Sequence, residues 1–195
     1  ESRDMKYYAL FHEMGTGKSK IAIDTFCHLW NWQEIDGVLI ISDKGAYLNW
    51  SVNEIPKHVD PDVVTRIRCW SSSMRVAEQR AVNEILEARD DHLDILCMNV
   101  EAFSGDRAFE VAMKFIKAHY CMLIVDESTS IKNIKAERTK ALIKLGQLCE
   151  YRRIMTGTPI TQSPLDLYSQ CEFLCPGILG FRAFVPFRSY YANMQ

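Results

Sequence analysis

The chain has 195 residues, a formal net charge of −2, and charged and hydrophobic fractions of 25% and 48%. These fractions are those of an ordinary globular protein and argue against a disordered chain or a coiled coil. Apolar runs such as Val38 to Ile41 and Cys121 to Val125 are far shorter than the roughly 18 residues of a membrane span, so we expect no membrane segment. Because the net charge is slightly negative, any contact with nucleic acid must come from a local surface.

The cysteine pattern predicts a reducing compartment. The seven cysteines are an odd number and include no Cys-x-x-Cys pair, which favours free, mostly buried thiols over disulfides or a zinc site. The apolar run from Tyr7 to Phe11 is too short for a secretory targeting core. We therefore expect an intracellular protein, cytoplasmic or, in a eukaryote, nuclear.

Residues 12–19 read His-Glu-Met-Gly-Thr-Gly-Lys-Ser and lie between an apolar run and an amphipathic segment that begins at Lys20. Glycines between a strand and a helix allow backbone N–H groups to converge on a polyphosphate, and the helix N-terminus adds partial positive charge. Lys18 is placed to reach the β- and γ-phosphates, and the Ser19 hydroxyl to ligate Mg²⁺. The predicted ATP-binding residues are Glu13, Met14, Gly15, Thr16, Gly17, Lys18 and Ser19. His12 stands where the general pattern has glycine, and a surface turn is the alternative reading.

The segments after this loop alternate between helical and strand patterns. Helical spacing after the loop ends before Gly37, and Val38 to Ile41 reads as a buried strand followed by a helix that stops near Pro56. Further strands are predicted at 63–70, 93–98, 121–125 and 153–155, and helical stripes at 77–86, 109–116 and 136–149. This alternation predicts an α/β fold with a parallel sheet covered by helices on both faces.

Three details of the helices follow from local signals. The serines at 71–73 offer an N-cap for the helix at 77–86. In the helix at 136–149, Leu142, Leu145 and Leu148 are expected to face inward. Ser163-Pro164 is a strong helix start, and Pro176-Gly177 a helix end.

Polar residues follow two of the predicted strands at the edge where the glycine loop also lies. Asp126 and Glu127 come directly after the strand at 121–125, where Asp126 can complete a Mg²⁺ site and Glu127 can orient or deprotonate an attacking water. Thr156, Gly157 and Thr158 follow the strand at 153–155 and could sense the γ-phosphate or the water. Ordinary solvated turns are the alternative in both places.

Taken in order, these elements resemble the first RecA-like lobe of superfamily 2 helicases, and most closely the SNF2-type ATPases. The glycine loop resembles that family's motif I, usually Asp-Glu-Met-Gly-Leu-Gly-Lys-Thr, with departures at His12, Thr16 and Ser19. Residues 38–50, which end in Asn49-Trp50, are similar to motif Ia although Asp43 replaces a common proline, and residues 95–101 are a weaker match to motif Ib.

The resemblance continues through the second half of the chain. Residues 126–133 are similar to motif II and its Lys-Asn tail, with Thr129 in place of the usual histidine. Residues 156–160 resemble motif III, and residues 165–177 continue the match. The resemblance thus implies a P-loop NTPase: a RecA-like ATP-binding lobe at 1–180, and an aromatic extension at 181–195 leading toward a second RecA-like lobe that this chain does not contain.

The resemblance implies an ATP hydrolase that uses ATP and Mg²⁺ to translocate on double-stranded DNA. Lys18, Asp126 and Glu127 are then the catalytic residues, Ser19 and Asp126 the metal ligands, and Thr156, Gly157 and Thr158 the residues that couple nucleotide state to lobe closure. Lys44, Asn99 and Lys132 are placed by motif as DNA contacts. Without the arginine finger of a second lobe, weak nucleotide binding and poor hydrolysis are expected.

Other readings stay open. An RNA helicase lobe of the same superfamily is one, and a nucleotide-gated scaffold that does not hydrolyse ATP is another. Lys44, Asn99 and Lys132 could each be ordinary solvated residues. The aromatic residues after 180 could stack on bases, although a helix packed on the lobe or leading toward the second lobe is preferred.

Overall fold

A computed structural model describes residues 3–87 and 91–192. Within these ranges a single sheet of six strands has the order β1-β6-β5-β2-β4-β3, and every neighbouring pair is parallel. The strands are β1 (Tyr7–Phe11), β2 (Gly37–Ser42), β3 (Thr65–Trp70), β4 (Leu93–Asn99), β5 (Cys121–Asp126) and β6 (Tyr151–Thr156). The prediction of a parallel α/β sheet is confirmed.

Helices cover both faces of the sheet. They are α1 (Lys18–Asn31), α2 (Tyr47–Asn49), α3 (Ile55–His58), α4 (Val76–Glu84), α5 (Asp106–Ala118), α6 (Glu137–Gly146), α7 (Leu167–Leu174) and α8 (Phe184–Ala192). Side chains of β2 alternate between two cores: Leu39 and Ile41 join the core beneath α5 and α6, whereas Val38 and Ile40 join the core beneath α1. A strand buried on both faces needs apolar residues at every position, which explains the continuous apolar run.

The sheet register brings three loops to one edge. Phe11 at the end of β1 pairs with Thr156 at the end of β6, and Asp126 at the end of β5 pairs with Met155. The segments that follow β1, β6 and β5 therefore leave the sheet side by side at its carboxyl edge, where ligands of open α/β sheets bind.

The first helix differs from its prediction at both ends. It begins at Lys18 rather than Lys20, so Lys18 and Ser19 lie in its first turn. It ends at Asn31 without glycine, because Gln33 adopts the left-handed conformation with φ 58° and its N–H donates to Trp30 O. Gly37 does not stop this helix; it is the first residue of β2.

Two further helix predictions are wrong in detail. The serines at 71–73 do not cap a helix, since α4 begins only at Val76, where Glu78 accepts a 2.7 Å hydrogen bond from the backbone N–H of Arg75. Helix α6 ends at Gly146, and Leu148, expected to face inward, is 53% exposed. A Cβ at Gly146 would lie 3.0 Å from the ring of Phe173, so glycine permits the close approach of α7 at this point.

Helical structure ends at His58, two residues past Pro56, near which the sequence predicted a stop. A π-helical turn at Trp50–Glu54 separates α2 from α3, which contains Pro56 in its first turn. Near the C-terminus, Pro164–Asp166 is a 3₁₀ turn in which Ser163 Oγ accepts from Leu165 N, so the predicted helix start is a short turn before α7.

The aromatic segment after 180 packs on the sheet domain. In α8, Phe187 is buried and its ring lies 5.1 Å from that of Tyr168 on α7. The boundary placed between residues 180 and 181 stays a prediction. Over the ranges that the structure covers, no helix has the length and apolarity to cross a bilayer. All seven cysteines are free thiols, and four are buried.

Candidate nucleotide site

Two residues of the glycine loop have backbone angles that only glycine adopts at little cost. Gly15 and Gly17 have φ of 76° and 84°, in the left-handed region that other residues adopt at a cost. Helix α1 starts directly afterwards, and the carbonyl of Gly17 accepts its first hydrogen bond, from Ile21 N at 3.0 Å. The loop therefore presents a helix N-terminus at the carboxyl edge of the sheet, the arrangement that favours an anion.

The ammonium of Lys18 lies over this loop. Its Nζ donates to the carbonyl oxygens of His12 at 2.7 Å and Glu13 at 2.9 Å, and the Thr16 hydroxyl also donates to Glu13 O at 2.7 Å. An ammonium has three hydrogens, so one remains for a phosphate oxygen. Met14, predicted to be part of the site, is exposed with 85% of its surface free.

Asp126 is held by donors on both carboxylate oxygens. Oδ2 accepts from Trp50 Nε1 at 2.8 Å and from Ser42 Oγ at 3.2 Å, and Oδ1 accepts from the N–H of Glu127 at 3.0 Å. Burial raises the pKa of Asp126, and the nearby charge of Glu127 adds to the increase, while the hydrogen bond from Trp50 opposes it. Burial therefore disfavours the charged carboxylate, and a neighbouring cation would offset this penalty.

Glu127, the residue after Asp126, has backbone angles that are unfavourable for a residue other than glycine. Its φ of 47° and ψ of 61° are left-handed, a conformation that costs a non-glycine residue about 1–2 kcal/mol. Its Oε2 accepts a 3.0 Å hydrogen bond from the hydroxyl of Thr156, and the Thr156 oxygen in turn accepts from Thr158 N at 3.2 Å. Strained residues that the surroundings hold in place are frequent at functional sites.

The segment after β6 also contacts the glycine loop. A Cβ built on Gly157 would lie 3.6 Å from both the carbonyl oxygen of His12 and the N–H nitrogen of Met14. The structure therefore brings the glycine loop, the Asp126-Glu127 pair and the 156–158 segment together, as the sequence predicted from their positions at strand ends.

A buried amide that the sequence did not single out connects these segments. Gln170 on α7 accepts from Ser128 Oγ at 2.6 Å, and its Nε2 donates to the carbonyl oxygens of Pro159 and Asp166, both at 2.8 Å. Ser128 and Gln170 are fully buried. Because Ser128 and Gln170 are 42 residues apart, spacing along the chain offered no signal for this link.

Among the described residues, the three residues assigned by motif to nucleic acid form no hydrogen bond with the glycine loop, the Asp126-Glu127 pair or the 156–158 segment. Lys44 is exposed, Asn99 accepts from the N–H of Glu101 at 2.9 Å, and Lys132 Nζ contacts the Thr161 hydroxyl and lies 3.7 Å from Asp166 Oδ2. Lys132 and Thr161 line an open hollow of about 550 Å³ that also includes Glu127.

The available donors fit a magnesium ion. Across residues 3–87 and 91–192, no three His, Cys, Asp or Glu side chains form a cluster that could hold a metal alone. The Ser19 hydroxyl and the Asp126 carboxylate are oxygen donors, which Mg²⁺ prefers, and Mg²⁺ commonly takes its other ligands from phosphate and water.

A model of the SNF2-related domain matches residues 5–191. The chain belongs to this family. The chain is 31% identical over 172 residues to CHR12 of Arabidopsis thaliana, a probable ATP-dependent DNA helicase. The matched region covers 88% of this chain and 14% of the relative. The chain is 28% identical to the chromatin-remodeling ATPase INO80 of Eremothecium gossypii, over 87% of this chain and 12% of that relative.

A solved structure confirms the fold of this SNF2-related chain. The SWI2/SNF2 ATPase core of Sulfolobus solfataricus, solved in complex with dsDNA, superposes with a TM-score of 0.70 at 26% identity. The match covers 96% of this chain and 35% of that structure. The chain thus spans about a third of that core and a smaller share of the curated relatives, and the predictions of a SNF2-type family and a RecA-like fold are confirmed.

Proposed function

We propose that this chain is the ATP-binding motor lobe of a DNA-dependent ATPase that translocates on double-stranded DNA. The observation that supports the proposal best is the cluster at the carboxyl edge, where the hydroxyl of Thr156 meets Glu127 beside the glycine loop. The two relatives, a probable ATP-dependent DNA helicase and a chromatin-remodeling ATPase, support the same activity class.

Each residue of the cluster has a role in this proposal. The N–H groups of the loop and Lys18 bind the phosphates, and Glu127 orients or deprotonates the water that attacks the γ-phosphorus. Thr156 fixes the Glu127 carboxylate by its 3.0 Å hydrogen bond, and Gly157 and Thr158 are the proposed residues that couple the state of the γ-phosphate to lobe closure. The other loop residues, Glu13 to Gly17, surround the phosphates.

Ser19 and Asp126 would hold Mg²⁺. When bound, the ion neutralises charge on the phosphate oxygens and positions them for displacement. A bound cation would stabilise the charged Asp126 carboxylate, since burial raises its pKa and the nearby charge of Glu127 adds to the increase.

We propose that the 195 residues alone hydrolyse ATP poorly. In such motors a second lobe supplies an arginine for phosphoryl transfer, and this arginine raises the rate roughly 10³- to 10⁵-fold. A Glu127→Gln variant tests the hydrolytic assignment: single-turnover ATP hydrolysis with protein in excess falls by at least 10-fold, while nucleotide binding persists. Equal hydrolysis by the parent and the Glu127→Gln variant would instead indicate a scaffold that does not use this acid.

Duplex DNA is the proposed track, and Lys44 and Lys132 are proposed contacts together with Asn99. Binding of a labelled duplex is measured by fluorescence anisotropy at several salt concentrations. A plot of log affinity against log salt concentration has a negative slope, and each lost phosphate contact reduces the magnitude of that slope by about 0.9. Lys44→Glu is expected to reduce the magnitude of the slope. Lys117→Glu, an exposed lysine near the end of α5 at the amino edge of the sheet, is the matched charge reversal and leaves the slope unchanged.

Competition identifies the nucleic acid. Unlabelled duplex DNA displaces the labelled duplex at lower concentration than single-stranded RNA of equal length, if the proposal is right. Stronger competition by RNA would make this lobe part of an RNA helicase.

A further inference from the structure

Trp50 is buried beside the candidate metal site, and its large apolar ring carries one polar group, the indole N–H. It is the first residue of the π-helical turn at Trp50–Glu54, and only 1% of its surface is exposed. Its ring belongs to the core beneath α1, while its Nε1–H points to Asp126 Oδ2 at 2.8 Å. The two residues are 76 positions apart, so the fold alone creates this contact.

The donors around Asp126 distinguish its two oxygens. Each carboxylate oxygen has about two acceptor sites, and Trp50 and Ser42 occupy both sites of Oδ2. Oδ1 accepts only the N–H of Glu127 among the hydrogen bonds of the described residues, so one of its acceptor sites is open. The arrangement therefore selects Oδ1 as the oxygen that can meet a cation.

We propose that Trp50 is a positioning residue for divalent-cation binding: its indole N–H holds Asp126 Oδ2, with help from Ser42, so that Oδ1 faces the ion. This inference rests on the proposed function, since it assumes that Asp126 is a metal ligand. Nothing in the role requires the indole to touch the ion or the nucleotide. The role is distinct from packing, because a phenylalanine ring can fill most of the same volume but has no N–H to donate.

The inference is tested with Mn²⁺, a paramagnetic ion that replaces Mg²⁺. The chain is saturated with ADP, and free Mn²⁺ is measured by electron paramagnetic resonance as Mn²⁺ is added. Trp50→Phe is compared with Trp70→Phe, the same change at a buried tryptophan on β3, three strands from β5. Binding of fluorescent ADP in EDTA reports nucleotide affinity without metal, and circular dichroism confirms folding.

We expect Trp50→Phe to weaken Mn²⁺ binding about 10-fold, as for the loss of a hydrogen bond to a charged group, with ADP affinity in EDTA unchanged. Trp70→Phe leaves both values unchanged. In the Asp126→Asn background, Trp50→Phe has no further effect on Mn²⁺ affinity, because the carboxylate it positions is gone. If Trp50→Phe does not fold, Ser42→Ala removes the second donor to Oδ2 and should weaken Mn²⁺ binding by a smaller factor.

Three results would overturn the inference, and they are distinguishable. Unchanged Mn²⁺ affinity in Trp50→Phe, with Mn²⁺ affinity lost in Asp126→Asn, would show that Asp126 binds the ion without Trp50. Equal losses of Mn²⁺ affinity and of ADP affinity in EDTA would reduce Trp50 to a packing role. Unchanged Mn²⁺ affinity in Asp126→Asn would remove the metal site itself, and with it that part of the proposed function.

Discussion

The hydroxyl of Thr156 donates a 3.0 Å hydrogen bond to Oε2 of Glu127, and so joins the ends of two neighbouring strands. Glu127 has left-handed backbone angles, and Thr156 is fully buried. The bond thus fixes a carboxylate whose main chain is already strained. This carboxylate is the one that we propose acts on the attacking water.

Replacing Thr156 with valine removes this bond with little change in volume. Because a hydrogen bond to a charged group contributes about 1.5–3 kcal/mol, we expect Thr156→Val to lower the single-turnover rate of ATP hydrolysis roughly 10- to 100-fold, with nucleotide affinity nearly unchanged. Thr156→Ser restores most of the rate. Thr139→Val on α6 is the control, since Thr139 is buried and its hydroxyl has no hydrogen-bond partner among the described residues. A parental rate in Thr156→Val would contradict the assignment.

Gly37 makes room for a buried histidine. A Cβ at this position would lie 2.6 Å from the Cβ of His119, whose ring nitrogens lie 2.9 Å from Phe115 O and 3.1 Å from Asp94 Oδ2. The histidine cannot move without losing these contacts. We therefore expect Gly37→Ala to lower the free energy of unfolding by about 1–3 kcal/mol in urea titration.

A matched glycine substitution separates this steric effect from a general cost of replacing glycine. A Cβ at Gly105 would meet only Ala102 O, at 3.9 Å, and Gly105 has φ −127°, which any residue adopts. Gly105→Ala should change the free energy of unfolding by less than about 0.5 kcal/mol. Equal effects of the two substitutions would refute the steric explanation.

Gln33 occupies a position that suits glycine. It ends α1 with φ 58°, its N–H donates to Trp30 O at 2.8 Å, and the N–H of Glu34 donates to Leu29 O at 2.9 Å. Left-handed residues that terminate helices in this way are usually glycine. We expect Gln33→Gly to raise the melting temperature through a gain of roughly 0.5–1 kcal/mol, with the greater unfolded-state entropy of glycine limiting the gain. Gln33→Ala keeps the Cβ and gives no such gain; an increase as large as that of Gln33→Gly would show that backbone strain is not the cause.

Cys69 has a thiol that the structure predicts to ionise readily. It pairs in register with Cys97 on the neighbouring strand, and the adjacent Cys97 thiol lowers the pKa of Cys69 to about 7 against the opposing effect of burial. The thiolate is the nucleophile, so its fraction rises as pH increases through 7. Alkylation of Cys69 by iodoacetamide, followed by mass spectrometry, should reach half its maximal rate near pH 7.

Two comparisons test this assignment. Cys171 is half-buried like Cys69, but burial raises the pKa of its thiol, so it should be alkylated much more slowly at pH 7. Cys97→Ala removes the neighbouring thiol and should move the pH dependence of Cys69 alkylation to higher pH. Alkylation of Cys171 at the rate of Cys69 at pH 7 would refute the prediction.

Local signals in the sequence were sufficient for most of the fold. The strands β2 and β5 are buried on both faces, so their apolar runs identified them, and the loops at their carboxyl ends followed from parallel topology. Leu148 shows where periodicity failed: the helical pattern continued, but α6 ends at Gly146, where α7 packs closely.

The sequence predicted which residues form the candidate site, but not the hydrogen bonds that hold them in place. Glycines at 15 and 17, Lys18 and the Asp126-Glu127 pair are recognisable because spacing along the chain encodes them. The hydrogen bonds from Trp50 to Asp126 and from Ser128 to Gln170 span 76 and 42 residues and depend on tertiary packing. Trp50 was visible only as part of a motif match, with no role attached.

The most direct test of nucleotide binding is a titration of the chain with fluorescent ADP and Mg²⁺, beside Lys18→Ala and Lys20→Ala. Lys20 is an exposed lysine on α1 whose Nζ lies 2.7 Å from Asp24 Oδ2, so it controls for loss of charge near the loop. We expect saturable, weak binding that survives in Lys20→Ala and is lost in Lys18→Ala. Binding of equal affinity in Lys18→Ala, or no saturable binding by the parent chain, would contradict the proposal that this chain is an ATP-binding lobe built around that loop.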